Sequence, residues 1–524
     1  MATQAPATEV VLRSPRRPPV HGRLAQSEAA ITSRAAAFDR ATWLIVGGAV
    51  LLALALRLLL VRSIWVDEAI SIHQAHMSLV GMLHDLRATD NHPPLYFLIL
   101  WGTVRVLGSG QLAVHLPTII AGTLLVPAVY QAGSELFDRR TGRLAAVICS
   151  IAPLLVWYSQ EARPYALFML FATLAVWAQV RIFNDGRVRY WVAYGGLTLA
   201  LVYTHYFSLI SIAIQQVAFG VWIWRQADRG QPVRAIIFRY WVTWVLIVVA
   251  VAPLVPYIHQ QFANDVLTGQ GMSSAPSAGA VSTGAPQTAH PTVYGLLANF
   301  VWAMWGYHAN STMLALGAMW PLLMLVALAL LGRGRSRSGT IWLVSALAIV
   351  PALALMAIGF KDNFLFEVRY FSGAVPMLLI LCARAVISSS RRRLPVAVLT
   401  ALFVGSFVVG ALDQQTAKNN PRQYNFHAAL DAIRHRAGPS DTLLYAPNYL
   451  SDVIEYYAPG VHSQVLRSGQ PQLPRHGKVF VLASFLDQPG MASEVGAAKY
   501  TLDHSRLHLA YTNHLEKISV WEYR

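Results

Sequence analysis

The chain is poor in cysteine and in charge. Its two cysteines, Cys149 and Cys382, both lie inside apolar runs, which excludes a disulfide framework and a zinc ribbon. Only 13% of its 524 residues are charged, about half the share in a soluble globular chain. No apolar core precedes Trp43, so the first residues do not read as a cleaved signal peptide. Base exceeds acid, with a net charge of +16. The positions of those charges speak for membrane topology and against nucleic-acid binding.

What the sequence does have is length in its hydrophobic runs. Hydrophobic residues make up 55% of the chain, and many runs approach the roughly 20 residues that cross a bilayer as a helix. The fold class expected is an all-α polytopic membrane protein of about 11 transmembrane helices with a small external α/β domain at the C-terminus. The spans are read at 41–61, 112–136, 143–158, 163–181, 190–205, 207–224, 240–258, 312–331, 340–358, 371–387 and 394–412. Residues 1–40, rich in Ala, Pro, Arg and Ser, read as a disordered basic cytoplasmic tail.

The stretch 93–108 is apolar but short, and it contains Arg105. Counting it as a span would reverse every later loop. With it at the interface, one side of the membrane collects DRRTGR (138–143), RIFNDGRVR (181–189), the Arg225–Arg239 segment, RGRSR (333–337) and SSSRRR (388–393). Loop 259–311, on the other side, has no Lys or Arg. Basic residues favour the cytoplasmic side. The expected N-terminus is therefore cytoplasmic in the plasma membrane. The segment 62–111 becomes a first external loop with surface helices, within a catalytic membrane domain 41–412. Residues 268–292 read as a flexible external loop. Residues 413–524 form the external domain, where DTLLYAP (441–447) and KVFVLASF (478–485) have buried-strand patterns and 425–437 is helical.

Four clusters on the external side carry chemistry. WVDEAISIHQAHM (65–77) places Asp67 and Glu68 just past the first span. A paired acid there either caps the helix that follows or serves function, since charge at a membrane boundary is costly. YSQEARPYALF (158–168) places Glu161 and Arg163 in a short turn; they form a structural pair, or Glu161 joins Asp67 in acid–base work or in holding a divalent cation. NHPPLYF (91–97) offers His92 and Tyr96 as lining residues, with Pro93-Pro94 ending one surface helix and starting the next. GFKDNFLFEVRYF (359–371) offers Lys361, Arg369 and Tyr370 to a phosphate, or to ordinary snorkelling. His205 and Tyr206 sit at a further external turn. His73 and His76 are three apart on the helix after Asp67, and the sequence does not identify the third and fourth ligands that zinc would need. Arg57 lies within the first span.

The acidic pair after the first span, HPPLYF, SQEARPYAL and RYF, in that order, resemble the GT-C superfamily of lipid-linked-sugar glycosyltransferases. The branch most similar is that of protein O-mannosyltransferases and aminoarabinose transferases. The resemblance covers about 41–215 well and 360–380 more loosely. It implies a polyprenyl-phosphate-linked sugar as donor, drawn from the lipid bilayer. It implies Asp67 as catalytic base with Glu68 beside it, Glu161 as the second-loop acid, and Arg369 and Tyr370 at the donor phosphate. Relatives often carry Asp near the second position. Here it is Glu161 followed by Ala162-Arg163, which leaves Mg²⁺ or Mn²⁺ binding by Asp67 and Glu161 open.

The expected activity is transfer of a sugar, mannose first, to an acceptor hydroxyl by inverting single displacement. The acceptor is a protein, a lipid or a wall glycan. Lys361 and Arg163 join Arg369 in stabilising the departing phosphate. Arabinofuranosyl transfer is the alternative within the class. A lipid or sugar transporter is the alternative outside it, though transporters place sites at the midplane, often between repeats, and no internal repeat is visible here. An anchor for a wall-binding C-terminal domain leaves the loop acids unexplained.

Overall fold

The computed structural model describes residues 40–59, 62–263, 291–308, 310–317, 319, 338–361, 365–390, 392–417, 424–466, 477–486, 491–505, 507–515 and 517–524. The tail up to residue 39 and most of the loop 268–292 lie outside the described residues, as does most of the expected span 312–331.

The chain opens with α1 (Arg40–Leu59), followed by three short helices: α2 (Val66–His76), α3 (Leu79–Thr89) and α4 (Leu95–Leu107). At about 1.5 Å per residue, the 13 residues of α4 cover about 20 Å, short of the ~30 Å hydrocarbon core. Arg105 reaches back along the loop. Its Nη1 donates to the carbonyl of Ala75 at 3.2 Å and its Nη2 to that of Met77 at 2.7 Å, closing the C-terminal end of α2.

The helical body follows as α5 (Gln111–Leu136), α6 (Arg139–Ile151), α7 (Pro153–Ser159), α8 (Tyr165–Asp185), α9 (Val188–Thr204), α10 (Ser208–Asp228), α11 (Arg234–Val251) and α12 (Leu254–Ala263). After it come α13 (Val293–Trp305), α14 (Ser338–Gly359), α15 (Val368–Ser388) and α16 (Arg393–Thr416). Among the described residues, seven helices are long and apolar enough to cross a membrane: α1, α5, α8, α11, α14, α15 and α16. The bent pair α6 and α7, which turns through 58°, makes an eighth. Of the eleven expected spans, 190–205 and 207–224 are helices outside this set, and most of 312–331 lies outside the described residues. The stretch 190–205 is α9, whose 17 residues rise about 26 Å. The stretch 207–224 is α10, whose Gln215, Gln216, Arg225 and Asp228 dilute its apolar run.

The bend comes from Pro153, which has no N–H to continue the ladder. Arg57 of α1 is buried against it, with Nη1 donating to the carbonyls of Ala53 (3.0 Å) and Ser150 (3.3 Å). The Gln414 side chain of α16 donates to the carbonyl of Pro153 at 2.8 Å. The intramembrane arginine therefore serves a broken helix.

The C-terminal part holds α17 (Phe426–Arg434), α18 (Ser451–Tyr457) and α19 (Met491–Asp503) around five strands. These are β1 (Thr442–Ala446), β2 (Ser463–Val465), β3 (Val479–Ser484), β4 (Leu509–Leu515) and β5 (Ile518–Tyr523), in the order β2-β1-β3-β5-β4. β2, β1 and β3 are parallel, β5 and β4 antiparallel. Every residue of β1 and β3 is buried, as strands covered on both faces require. This part docks on the first loop: the Ile64 amide donates to Tyr457 Oη at 2.7 Å, and Tyr456 Oη donates to the Ser109 carbonyl at 3.0 Å.

Candidate active site

Three segments distant in sequence converge: the first turn of α2, the turn 160–164 between α7 and α8, and the first turn of α15. The two acids of the first segment divide their roles. Glu68 is buried and fully engaged. Its Oε2 accepts from the Trp65 amide at 3.1 Å, which closes the start of α2. Its Oε1 accepts from the Ala162 amide at 2.6 Å and meets His115 Nε2 at 2.8 Å. Burial pushes the Glu68 carboxyl up, but His115, the Ala162 amide and Arg62 outweigh it and hold the group below the usual range. Glu68 is therefore a strut that ties α2 to the turn carrying Glu161. Asp67 is the open member. Its Oδ2 lies 3.6 Å from Arg369 Nη1, and its side chain keeps 18% exposure.

Glu161 is buried, and among the described residues its carboxylate has no hydrogen-bond or ion-pair partner. Burial first, and the Glu68 charge second, push it up to about 7, with Arg62 and Arg369 pulling the other way and Asp67 adding to the rise. That is about 3 kcal/mol against its charged form. It is a carboxyl poised between protonation states at neutral pH.

Arg163, two residues on, is clamped. Its Nη1 donates to Ser71 Oγ (3.0 Å) and Asp90 Oδ2 (3.3 Å). Asp90 Oδ1 accepts from the His92 amide (2.9 Å) and from His92 Nδ1 (2.8 Å). Burial raises the Asp90 carboxyl, yet Arg163 and His92 hold it far below its ordinary range. Burial, aided by Arg163, pulls His92 down against the pull of Asp90. His92 Nδ1 stands between Asp90 Oδ1 and Arg163 Nη2, the latter at 3.2 Å, and among the described residues its Nε2 is buried without a partner. The His205 ring lies 5.3 Å from that of His92 and stacks on Phe168 at 4.5 Å. Its Nδ1 accepts from the Phe207 amide at 3.3 Å, so Nε2 carries the proton, and Nε2 too is buried without a partner. Burial, His92 and Arg163 together push His205 well below its ordinary value.

On α15, Arg369 is buried with Nε 2.6 Å from Glu367 Oε2. Among the described residues its Nη2 has no partner, nor have the hydroxyls of Tyr165 and Tyr96. Gly373, one turn on, lets α15 approach α8, because a Cβ there would meet the Phe168 ring at 2.6 Å. Each buried donor left without an acceptor costs about 1–3 kcal/mol. A cluster of them beside a guanidinium is a site for an anion with several oxygens.

Asp67, Glu68, Glu161, Arg163, His92, Tyr96, His205, Arg369 and Tyr370 are thus gathered together. Tyr370 is buried, its ring 6.1 Å from that of His205. Tyr206 stands behind the cluster: its hydroxyl donates to Gln261 Oε1 at 2.6 Å, and Gln261 Nε2 holds the Asp90 carbonyl at 2.7 Å. Lys361 does not join. It is exposed in the turn after α14, and no described ion pair or hydrogen bond links its side chain to the cluster. Sequence reasoning missed Asp90, Ser71, His115 and Tyr165. Asp90 had a signal, as an acid two residues before His92; His115 had one as a polar residue within an apolar run.

Asp67 and Glu161 offer two carboxylates. Among the described residues no third His, Cys, Asp or Glu stands with them to complete a cage. Such a pair suits Mg²⁺ or Mn²⁺ only where substrate phosphate and water supply the remaining oxygens.

A family model described as dolichyl-phosphate-mannose-protein mannosyltransferase matches residues 91–257, about a third of the chain. That stretch contains His92, Glu161, Arg163 and His205. The comparison with curated protein sequences gives no match. Among solved structures, ArnT from Cupriavidus metallidurans bound to undecaprenyl phosphate is similar over 93% of this chain and 98% of its own, with 12% identity and a TM-score of 0.55. Archaeal oligosaccharyltransferase AglB from Archaeoglobus fulgidus, in complex with an inhibitory peptide and a dolichol-phosphate, is similar over 91% of this chain and 73% of its own, with 12% identity and a TM-score of 0.50. The chain therefore has the fold of the GT-C membrane glycosyltransferases, and it is a multi-pass membrane protein.

Proposed function

We propose that this protein transfers a sugar, mannose first, from a polyprenyl-phosphate carrier to an acceptor hydroxyl at the external face of the membrane. The observation that carries the reading is the Asp67–Arg369 pair with the partnerless Arg369 Nη2 behind it. A base and a phosphate-binding cation stand side by side where lipid and water meet. The polyprenyl phosphates bound by the proteins of similar fold support the same donor class. The loop charges support an external C-terminal domain and a cytoplasmic N-terminus.

The chemistry follows from the groups. A sugar on phosphate already has a stabilised leaving group, so the acceptor needs a base more than the donor needs an acid. Asp67 takes the proton of the acceptor hydroxyl as its oxygen attacks C1, the bond from C1 to the phosphate oxygen breaks, and the anomeric centre inverts. Arg369, with Tyr165 and His205 as neutral donors, receives the charge that builds on the departing phosphate. Glu161, half protonated near neutral pH, donates to a phosphate or sugar oxygen without adding charge. Asp90 acts through Arg163 and His92, keeping both in place. A divalent cation at Asp67 and Glu161 would neutralise phosphate charge.

The test is transfer from labelled polyprenyl-phosphate sugars by the purified protein and by Asp67→Asn, with the anomeric proton of the product read by NMR. Loss in the variant and an inverted product support the reading. Equal transfer by both removes Asp67 as base, and a retained configuration excludes single displacement.

A further inference from the structure

Beyond its first turn, α2 runs along a cleft of about 830 Å³ between the first loop and the C-terminal part. His73 of α2 faces Asp452 and Glu455 of α18 across it. These two acids are three residues apart on one helix, which sets them on one face. His73 Nδ1 lies 3.7 Å from Asp452 Oδ1 and 3.5 Å from Glu455 Oε2. All three ligand atoms lie within 4.8 Å of one another.

These separations decide between two readings. A hydrogen bond needs about 2.7–3.2 Å, and a single Nδ1–H can serve one carboxylate, not two. Both distances are too long for that bond. An ion with ligands at about 2.0–2.2 Å in a tetrahedron holds its ligand atoms about 3.3–3.6 Å apart. The His73 pairs match that edge to within a tenth or two of an ångström, and the exposed side chains of His73 and Glu455 can close the rest. The charge balance points the same way. Two carboxylates stand on one helix face beside a single imidazole. A divalent cation offsets the repulsion between the two carboxylates. His76 and His427 line the same cleft.

We propose that His73, Asp452 and Glu455 bind a zinc-class divalent cation that clips the C-terminal part to α2, the helix whose first turn presents Asp67. One imidazole nitrogen and two carboxylate oxygens suit zinc better than Mg²⁺ or Ca²⁺, which take oxygen ligands. The ligands come from two parts of the chain already joined through Tyr456 and Tyr457, so the ion fixes an existing contact. The clip stands apart from the acids Asp67 and Glu161 and does not depend on the transferase reading.

The experiment uses the full chain in detergent, stripped with a chelator and titrated with Co²⁺ and then Zn²⁺. Expected is one equivalent of Co²⁺ with the visible absorption of a tetrahedral site, displaced by Zn²⁺. That absorption is lost in His73→Ala and in the double variant Asp452→Asn/Glu455→Gln, and kept in Asp67→Asn. Zinc raises the melting temperature of the wild type and leaves that of the double variant unmoved. Equal melting temperatures of wild type and variants in chelator show that the variants are folded. Absence of saturable Co²⁺ binding in the wild type, or the same absorption in the double variant, overturns the proposal.

Discussion

The Asp67 carboxylate stands 3.6 Å from the guanidinium of Arg369, a pair drawn from the turn after α1 and from the last third of the chain. Each end is held by something else. Asp67 is next to Glu68, which is bonded to the Ala162 amide, and Arg369 is braced by Glu367. The separation is wider than a bidentate ion pair, and Arg369 keeps a free donor for a third party.

That free donor sets the first prediction. Arg369→Lys keeps the charge but loses the planar fork. Donor affinity should fall by about 10-fold or more, read from the KM for polyprenyl-phosphate sugar. An unchanged KM would remove Arg369 from the phosphate.

Glu161 predicts a pH effect of definite sign. Its carboxyl is raised in the folded protein to about 7, so the native state holds a proton that the unfolded chain has released above pH 4.5. Stability therefore falls as pH rises from 4.5 to 7. Glu161→Gln removes that slope and melts higher than the wild type at pH 8. A wild-type melting temperature with the same pH dependence as the variant's contradicts the assignment.

Asp90 predicts the opposite sign. Its carboxyl is held below the ordinary range by Arg163 and His92, so its contribution is present above the unfolded value and lost as pH falls through the folded one. Asp90→Asn leaves Arg163 buried without its carboxylate, at a cost of about 3–5 kcal/mol. The melting temperature near neutral pH should drop accordingly, and a drop within experimental scatter would show that Arg163 does not depend on Asp90.

Glu68→Ala leaves His115 and the Ala162 amide without their acceptor, each at about 1–3 kcal/mol. Thermal melting should show the loss. Glu68→Gln, which keeps one acceptor oxygen, recovers part of it. Equal melting by Ala and Gln variants would mean that these bonds contribute nothing.

Much of this architecture was readable before any coordinates. Apolar length marked the helices, because a bilayer demands it, and acids just past such runs stand out against a sparse charge background. Arg105 and the short apolar length of 93–108 spoke against a span, but did not tell that Arg105 would close α2. Glu68 and Asp67 could not be told apart: adjacent acids at a helix start look alike, and only the partners Trp65, Ala162 and His115 separate strut from open carboxylate. Asp90 and His115 were missed because their meaning lies in contacts to Arg163 and Glu68, many residues away. Lys361 has no described bond to the cluster, and a cation in a turn carries no marker in the sequence for the direction in which it points. The stretch 143–158 reads as one span in the sequence; the bend at Pro153 and Arg57 as its companion emerge only from contacts.

The most direct test of the central claim is single-turnover transfer by Asp67→Asn with polyprenyl-phosphate mannose at saturating donor. Removal of a positioned base predicts a fall in rate of about 10²–10⁴-fold, with donor affinity kept within a few-fold because Arg369 is untouched. A rate equal to that of the wild type contradicts the account.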